Sequence, residues 1–342
     1  MVVLYILLAI VIFGFMILFH ELGHFIFAKI FKVEINEFSI GMGPQIISWL
    51  GKDGVKYSLR ALPIGGYVAM EGEEEHSDNP NAYNNKPAWQ RFIIVIAGAM
   101  VNLLVGSIIM ICLTISTSYF GTTTVSGFGQ GSLSDDYGLQ VNDEIIKIDN
   151  NDVNTYDELS YEIMHLGHKP VSVTVRRNGQ ILTLDNVVFP TIESQGVTFG
   201  SVDFSVHIEQ RSFGTIIKNS FFSIKSSIKM VWDSLIDLIT GRYGLDQISG
   251  PIGVTGAIGD AAQFGAYALF YMVVVISMNL GVFNLLPIPA LDGGALLFIL
   301  IEMIFKKPIP EKVERGLKTA GLIILLSLVL VVTIKDLVHI FI

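Results

Sequence analysis

The chain has 342 residues, 51% of them hydrophobic and only 15% charged, where a soluble domain carries about 25% charged residues. With a mean hydropathy of +0.58, a single Cys and a net charge of −9, this composition argues against a soluble enzyme, a disordered chain, a disulfide scaffold and a nucleic-acid binder. An integral membrane protein with some water-facing mass remains.

A membrane helix needs about 20 apolar residues. The first such stretch is 1–31. It lacks a basic leader and a small-residue cleavage site, so it reads as a span and not a signal peptide. Residues 32–90 hold short strands at 33–40, 56–62 and 67–70, with Gly41, Gly43-Pro44, Gly51 to Gly54 and Pro63 to Gly66 as turns. They predict a β-rich segment followed by a loop. A second span covers 91–118. Residues 121–206 form a separate domain. In 209–262, Phe213, Ile217, Phe221, Ile224, Ile228 and Val231 recur at helical spacing. They predict an amphipathic helix for the lipid surface, or for packing on the preceding domain. The third apolar stretch, 266–305, is interrupted at Asn284, Pro287, Pro289 and Asp292; a loop at 306–319 and a fourth span at 320–342 follow.

Charge bias sets the orientation. The stretch 306–318 holds five basic and two acidic residues, and 29–60 holds five basic and three acidic. Both are expected on the cytoplasmic side. Residues 121–206 hold four basic and twelve acidic residues, a net of −8, and are expected outside. These assignments agree only if 266–305 crosses once. The prediction is therefore four spans, with both termini and the domain outside.

His20-Glu21-Leu22-Gly23-His24 is an H-E-x-x-H motif. On a helix its two imidazoles share a face and can hold one Zn²⁺, with Glu21 as general base. Three ionisable groups within an apolar span mark a functional site by default. A catalytic zinc takes a third protein ligand and keeps an open position. The candidate is Asp292, in a segment that Pro287 and Pro289 break. Broken backbone at membrane depth is tolerated only beside protein or water. The alternative is a kinked span with Asp292 at the cytoplasmic interface. Asn284 lies on the same segment and could hydrogen-bond near the metal or the substrate backbone. In the second span, Asn102 is a polar group at lipid depth, expected near the active site as substrate or oxyanion support, with helix–helix contact as the alternative.

These motifs, with Gly65-Gly66-Tyr67-Val68 and the run from Asn284 to Gly294, resemble the site-2 intramembrane metalloproteases. The resemblance is to the bacterial RseP-like group, with one PDZ domain between spans two and three, and it covers nearly the whole chain in order. It implies one zinc held by His20, His24 and Asp292, with Glu21 activating water and Asn284 assisting substrate or oxyanion binding. It also implies a membrane-associated, re-entrant β-hairpin at 32–90, where a purely cytoplasmic β-rich loop is the alternative. Ala99 stands where the family's A-G-P-x-x-N pattern has Pro.

The fold class expected is thus a polytopic α-helical membrane protein with an inserted extracytoplasmic PDZ domain. Its signature is Gly138-Leu139-Gln140 to Asn150, with Asn142 at a position usually Gly, strands around a turn at Arg177-Asn178-Gly179 and a helix at 156–166. Its peptide groove is expected at Val197, Thr198, Phe199 and Gly200; a steric filter that binds no peptide is the alternative. His165, His168 and His207 read as surface residues. Gly250-Pro251-Ile252-Gly253 marks a turn and matches a motif of the relatives.

The function expected is zinc-dependent hydrolysis of peptide bonds within transmembrane segments of single-pass proteins in a bacterial plasma membrane, with the active site toward the cytoplasm. Anti-sigma factors and remnant signal peptides are the substrate classes implied; the lipid bilayer is the other partner, and nucleic acid is not one. Two other readings are a PDZ-bearing adaptor with a non-catalytic metal site, and an ion transporter using the buried carboxylates. A general base at Glu21 has no use in the adaptor.

Overall fold

The structure, a computed structural model, describes residues 2–73, 75–194, 196–244 and 247–341. Its helices are α1 (Val2–Ile30), α2 (Ala88–Ser116), α3 (Tyr156–Leu166), α4 (Phe213–Thr240), α5 (Pro251–Phe264), α6 (Ala266–Asn284), α7 (Asp292–Phe305) and α8 (Glu311–Phe341). Its strands are β1 (Ile35–Leu50), β2 (Lys56–Met70), β3 (Tyr119–Phe128), β4 (Glu144–Ile148), β5 (Asn151–Asp152), β6 (Val171–Arg177), β7 (Gln180–Val187), β8 (Thr191–Ser194), β9 (Val197–Gly200) and β10 (Phe204–Gln210). The chain divides into two units, Met1–Ile109 with Gly244–Ile342, and Met110–Tyr243.

Four helices of the described residues are long and apolar enough to cross a membrane: Val3–Ile30, Ala88–Ser116, Ala266–Asn284 and Lys312–Val338. The third apolar stretch is not one interrupted helix. Pro287 and Pro289 cannot donate backbone hydrogen bonds, so α6 stops at Asn284 and α7 restarts at Asp292. Tight turns close the link between them, with Ile288 N–H donating to Leu286 and Leu291 N–H donating to Ile288. Gly250 is the N-cap of α5 and Pro251 its first residue, and Asp336 of α8 accepts the Gly253 N–H at 2.8 Å.

Two long strands replace the three short ones expected. Gly41, Gly43 and Gly65 take positive φ (86°, 82° and 87°). They form bulges that bend β1 and β2 instead of ending them. Each strand therefore pairs twice. The result is four short segments in the order 66–70, 35–40, 56–60 and 45–50, with the two outer pairs antiparallel and the central pair, 35–40 with 56–60, running the same way. A buried cluster of Ala28, Val33, Ile35, Phe38, Val68 and Ile94 fixes this hairpin to α1 and α2. On its far segment Ile46, Ile47, Trp49 and Leu50 are exposed.

The second unit is a sheet in the order β10-β3-β4-β6-β7, with β5 beside β4 and a separate β8–β9 hairpin. Its core is Val125, Leu139, Ile145, Ile148, Leu159, Ile163 and the inward valines of β6, closed by Phe189. The turn at Asn178-Gly179 has positive φ at both residues (51° and 80°), and Asn142 takes φ 70°. Here α4 puts its polar face on α3. Lys229 pairs with Glu162 at 2.9 Å, Lys225 pairs with Glu158 at 3.2 Å, and Tyr161 donates to Asp233 at 2.8 Å. Its apolar side chains Phe213, Ile217, Phe221, Trp232 and Ile236 are exposed. His165 is not a surface residue. It stacks on Tyr161 and bonds Asp237 at 2.9 Å, because α4 covers that side of α3.

Candidate metal centre

Residues 20, 21 and 24 occupy one turn of α1, a helix apolar enough that only packed neighbours can accommodate their polarity. His20 and His24 bring their Nε2 atoms to 3.3 Å of each other. Asp292, the first residue of α7, brings Oδ2 to 3.1 Å from His20 Nε2 and 3.4 Å from His24 Nε2. Donors about 2.0–2.2 Å from a tetrahedral zinc lie about 3.3–3.5 Å apart. The three atoms, 3.1–3.4 Å apart, come close to that spacing. Asp292 Oδ2 is also buried without an aligned hydrogen-bond donor, as expected of an atom whose partner is an ion. The donor set fits zinc. It is the one His/Cys/Asp/Glu cluster with ligand spacing among the described residues.

Helix α2 shapes the centre from behind. His24 Nδ1 donates to the Ile94 carbonyl at 2.8 Å. A Cβ on Gly98 would overlap His24 Nε2 and His20 Cε1, so only glycine leaves the rings their space. Asn102 is 1% exposed, with its amide 3.4 Å from His20 Nδ1. It meets the centre through His20 and is not among the described residues that line the cavity. The amide nitrogen faces the ring, and Oδ1 is buried without a partner among the described residues. Turning the amide over lets Oδ1 accept the Nδ1 proton, which leaves His20 Nε2 free for an ion.

A cavity of about 1300 Å³ opens beside the centre. His20, Glu21, His24 and Asp292 line it, as does the edge segment Tyr67 to Met70 of the hairpin. The Val68 backbone amide faces Glu21. Farther along, Glu71, Arg91, Glu302, Arg315 and Lys318 make the wall charged. Outside the spans, burial raises the Tyr83 phenol well above its ordinary range. Burial also opposes ionisation of Glu37, yet hydrogen bonds from Ser58, Arg60, Tyr67 and Lys56 outweigh it and bring the carboxyl down to about 2.

Asn284 is the half-buried last residue of α6 and makes no side-chain hydrogen bond among the described residues. Val197, Thr198, Phe199 and Gly200 form β9, paired with β8. Gly200 lies directly on the end of α3. A Cβ there would overlap the Ile163 carbonyl, so no peptide fits between these elements at that point. Sequence reasoning missed two groups. Gly98 was legible only as a small residue suited to close helix approach, and the Ile94 carbonyl has no side-chain signal at all.

Residues 8–328 match the family model described as peptidase family M50. A protein of Clostridium acetobutylicum, provisionally named a zinc metalloprotease, is 36% identical over 338 residues, which is 98% of this chain and 97% of the relative. A similarly named protein of Fusobacterium nucleatum is also 36% identical, over 96% of this chain and 97% of its own. The zinc metalloprotease RasP of Shouchella clausii is 28% identical over 97% of this chain and 98% of its own. The chain belongs to peptidase family M50 and is a zinc metallopeptidase of the site-2 type.

Proposed function

We propose that His20, His24 and Asp292 hold the zinc, and that Glu21 is the general base in hydrolysis of a peptide bond within a transmembrane helix. The observation that carries this is the convergence of three donor atoms within 3.1–3.4 Å from distant parts of the chain. Zinc, when bound, supplies Lewis acidity that makes water a nucleophile near neutral pH and polarises the scissile carbonyl. Glu21 takes the water's proton on its carboxylate and returns it to the leaving amine. The segment 66–70 is an edge strand on the cavity. It aligns an unwound substrate by strand addition, and the Val68 backbone amide that faces Glu21 lies on that edge. Asn284 assists the substrate backbone from the broken segment.

The net charge of −8 over 121–206 supports an extracytoplasmic position for that domain and for both termini, with the zinc site toward the cytoplasm of a bacterial cell. The sheet, the helix α3 and the Gly138-Leu139-Gln140 signature support a PDZ fold. The contact of Gly200 with α3 favours a steric filter over a peptide-binding groove. The exposed apolar face of α4 suits the lipid surface. Substrates are single-pass proteins with little outside mass, of the anti-sigma or remnant signal-peptide kind. Comparative membrane proteomics of the unmodified strain and Glu21→Gln tests this. Uncut transmembrane fragments should accumulate in the variant; an unchanged membrane proteome would sink the proposal.

A further inference from the structure

On α2, Arg91, Val95, Gly98 and Asn102 recur at i, i+4, i+7 and i+11, which is one face of the helix. Each of them meets the centre or the helix that carries Asp292. Asn102 contacts His20, and Gly98 lies against both imidazoles. Val95 is buried with Leu296 and Ile299 of α7. Arg91 forms an ion pair with Glu302 of α7, and the two side chains are only 16% and 21% exposed. The cation is held from two further sides. Its Nε donates to the Lys86 carbonyl at 3.1 Å, and its guanidinium lies 6.0 Å from the centre of the Tyr83 ring.

Helix α7 needs a restraint of this kind. It starts at Asp292, after a non-helical link and with no side-chain cap at Leu291. Asp292, Ala295, Ile299 and Glu302 all line the cavity. Glu302 therefore shares a wall with Asp292, about 15 Å along the axis. A helix seated by apolar packing alone can slide or turn, whereas a bidentate-capable cation near its far end fixes both motions.

We propose that the Arg91–Glu302 pair is a positioning brace. It holds α7 on the face of α2 that orients the histidines, and so sets Asp292 Oδ2 at its distance from the two Nε2 atoms. The proposal rests on the reading of these three residues as the zinc ligands. Neither Arg91 nor Glu302 touches the reacting atoms.

The test uses the full chain in detergent, loaded with zinc, and follows zinc loss to a chelator beside the melting temperature. Glu302→Gln should lose zinc about tenfold faster than the unmodified protein, with the melting temperature little changed. Arg91→Lys, which keeps the charge and loses the fork, should fall between. Arg91→Glu should behave like Glu302→Gln, and the exchanged pair Arg91→Glu/Glu302→Arg should return zinc loss to within about threefold of the unmodified rate. Zinc loss from Glu302→Gln at the unmodified rate overturns the brace. So does an exchanged pair that is folded yet sheds zinc as fast as the single variants, and this second arm decides if a single variant fails to fold. Asp292→Ala is run alongside. Zinc lost by Asp292→Ala but kept by Glu302→Gln overturns the brace alone; zinc kept by Asp292→Ala overturns the ligand reading beneath it.

Discussion

His24 Nδ1 donates to the Ile94 carbonyl at 2.8 Å, and that contact decides the chemistry of the ring. A carbonyl only accepts, so Nδ1 carries a proton, and in the neutral ring the Nε2 lone pair faces His20 and Asp292. Ile94 lies one turn before Gly98. The same stretch of α2 therefore sets the tautomer and leaves the rings their space.

Gly98→Ala should abolish that space. Its Cβ would meet both imidazoles, and neither can retreat: His24 is tied to Ile94, and His20 lies against Asn102. Metal analysis of the purified variant should give zinc affinity reduced by at least about tenfold. Cleavage of a transmembrane substrate should fall about 100-fold. Full zinc content and unchanged cleavage would show that the rings have another way to sit.

Asn102 should act through acceptance of the His20 Nδ1 proton. Asn102→Asp keeps an acceptor there and should retain zinc. Asn102→Leu removes it, leaves a buried ring nitrogen unpaired, and should release zinc to a chelator about 10–100-fold faster. Equal zinc loss from the two variants would reduce Asn102 to a packing residue.

The parts of the site legible in the sequence are those whose geometry is local. His20, Glu21 and His24 share a turn of α1 because helices place i and i+4 together. Asp292 was legible because two prolines must break a helix and a carboxylate at that depth needs a partner. The partner of Asn102 was not legible, because it depends on how α2 rotates against α1. The bulges at Gly41, Gly43 and Gly65 look like turns in the sequence because positive φ serves both, and only the pairing partner distinguishes them. The burial of His165 likewise depends on α4, far along the chain, returning to cover α3.

Glu37 gives the hairpin a predicted acid limit. Its carboxyl titrates at about 2 in the fold, against an ordinary 4.5. A depressed carboxyl stabilises the fold at pH above the unfolded value, and that stability is lost as pH falls toward the folded one. The loss should therefore develop between 4.5 and about 2. Trp49 stacks on Tyr57 across the outer pair of segments, with ring centres 5.7 Å apart, and reports on it. With Trp89 and Trp232 replaced by Phe, Trp49 emission should change in this window. Glu37→Gln, which has no proton to take up, should show no such step; the same step in Glu37→Gln would assign it to another group.

Arg177 should be the most costly single ionic truncation in the second unit. Asp143 is fully buried. Arg177 holds it with Nε on Oδ1 and Nη2 on Oδ2, both at 2.7 Å, and also donates to the Gly138 carbonyl at 2.7 Å. Removing the cation leaves a buried carboxylate with, among the described residues, only the Gln140 N–H at 2.9 Å. Breaking such a pair costs about 3–5 kcal/mol. Arg177→Met preserves most of the side-chain volume, so packing loss contributes little. Denaturant unfolding followed at Trp232, the unit's only tryptophan, should move by that amount. Arg177→Met combined with Asp143→Leu removes both charges and should recover most of it, because the cost lies in the stranded anion and not in the lost attraction. A double variant as unstable as Arg177→Met would instead place the cost in the bond to Gly138, whose carbonyl follows the bend before β4.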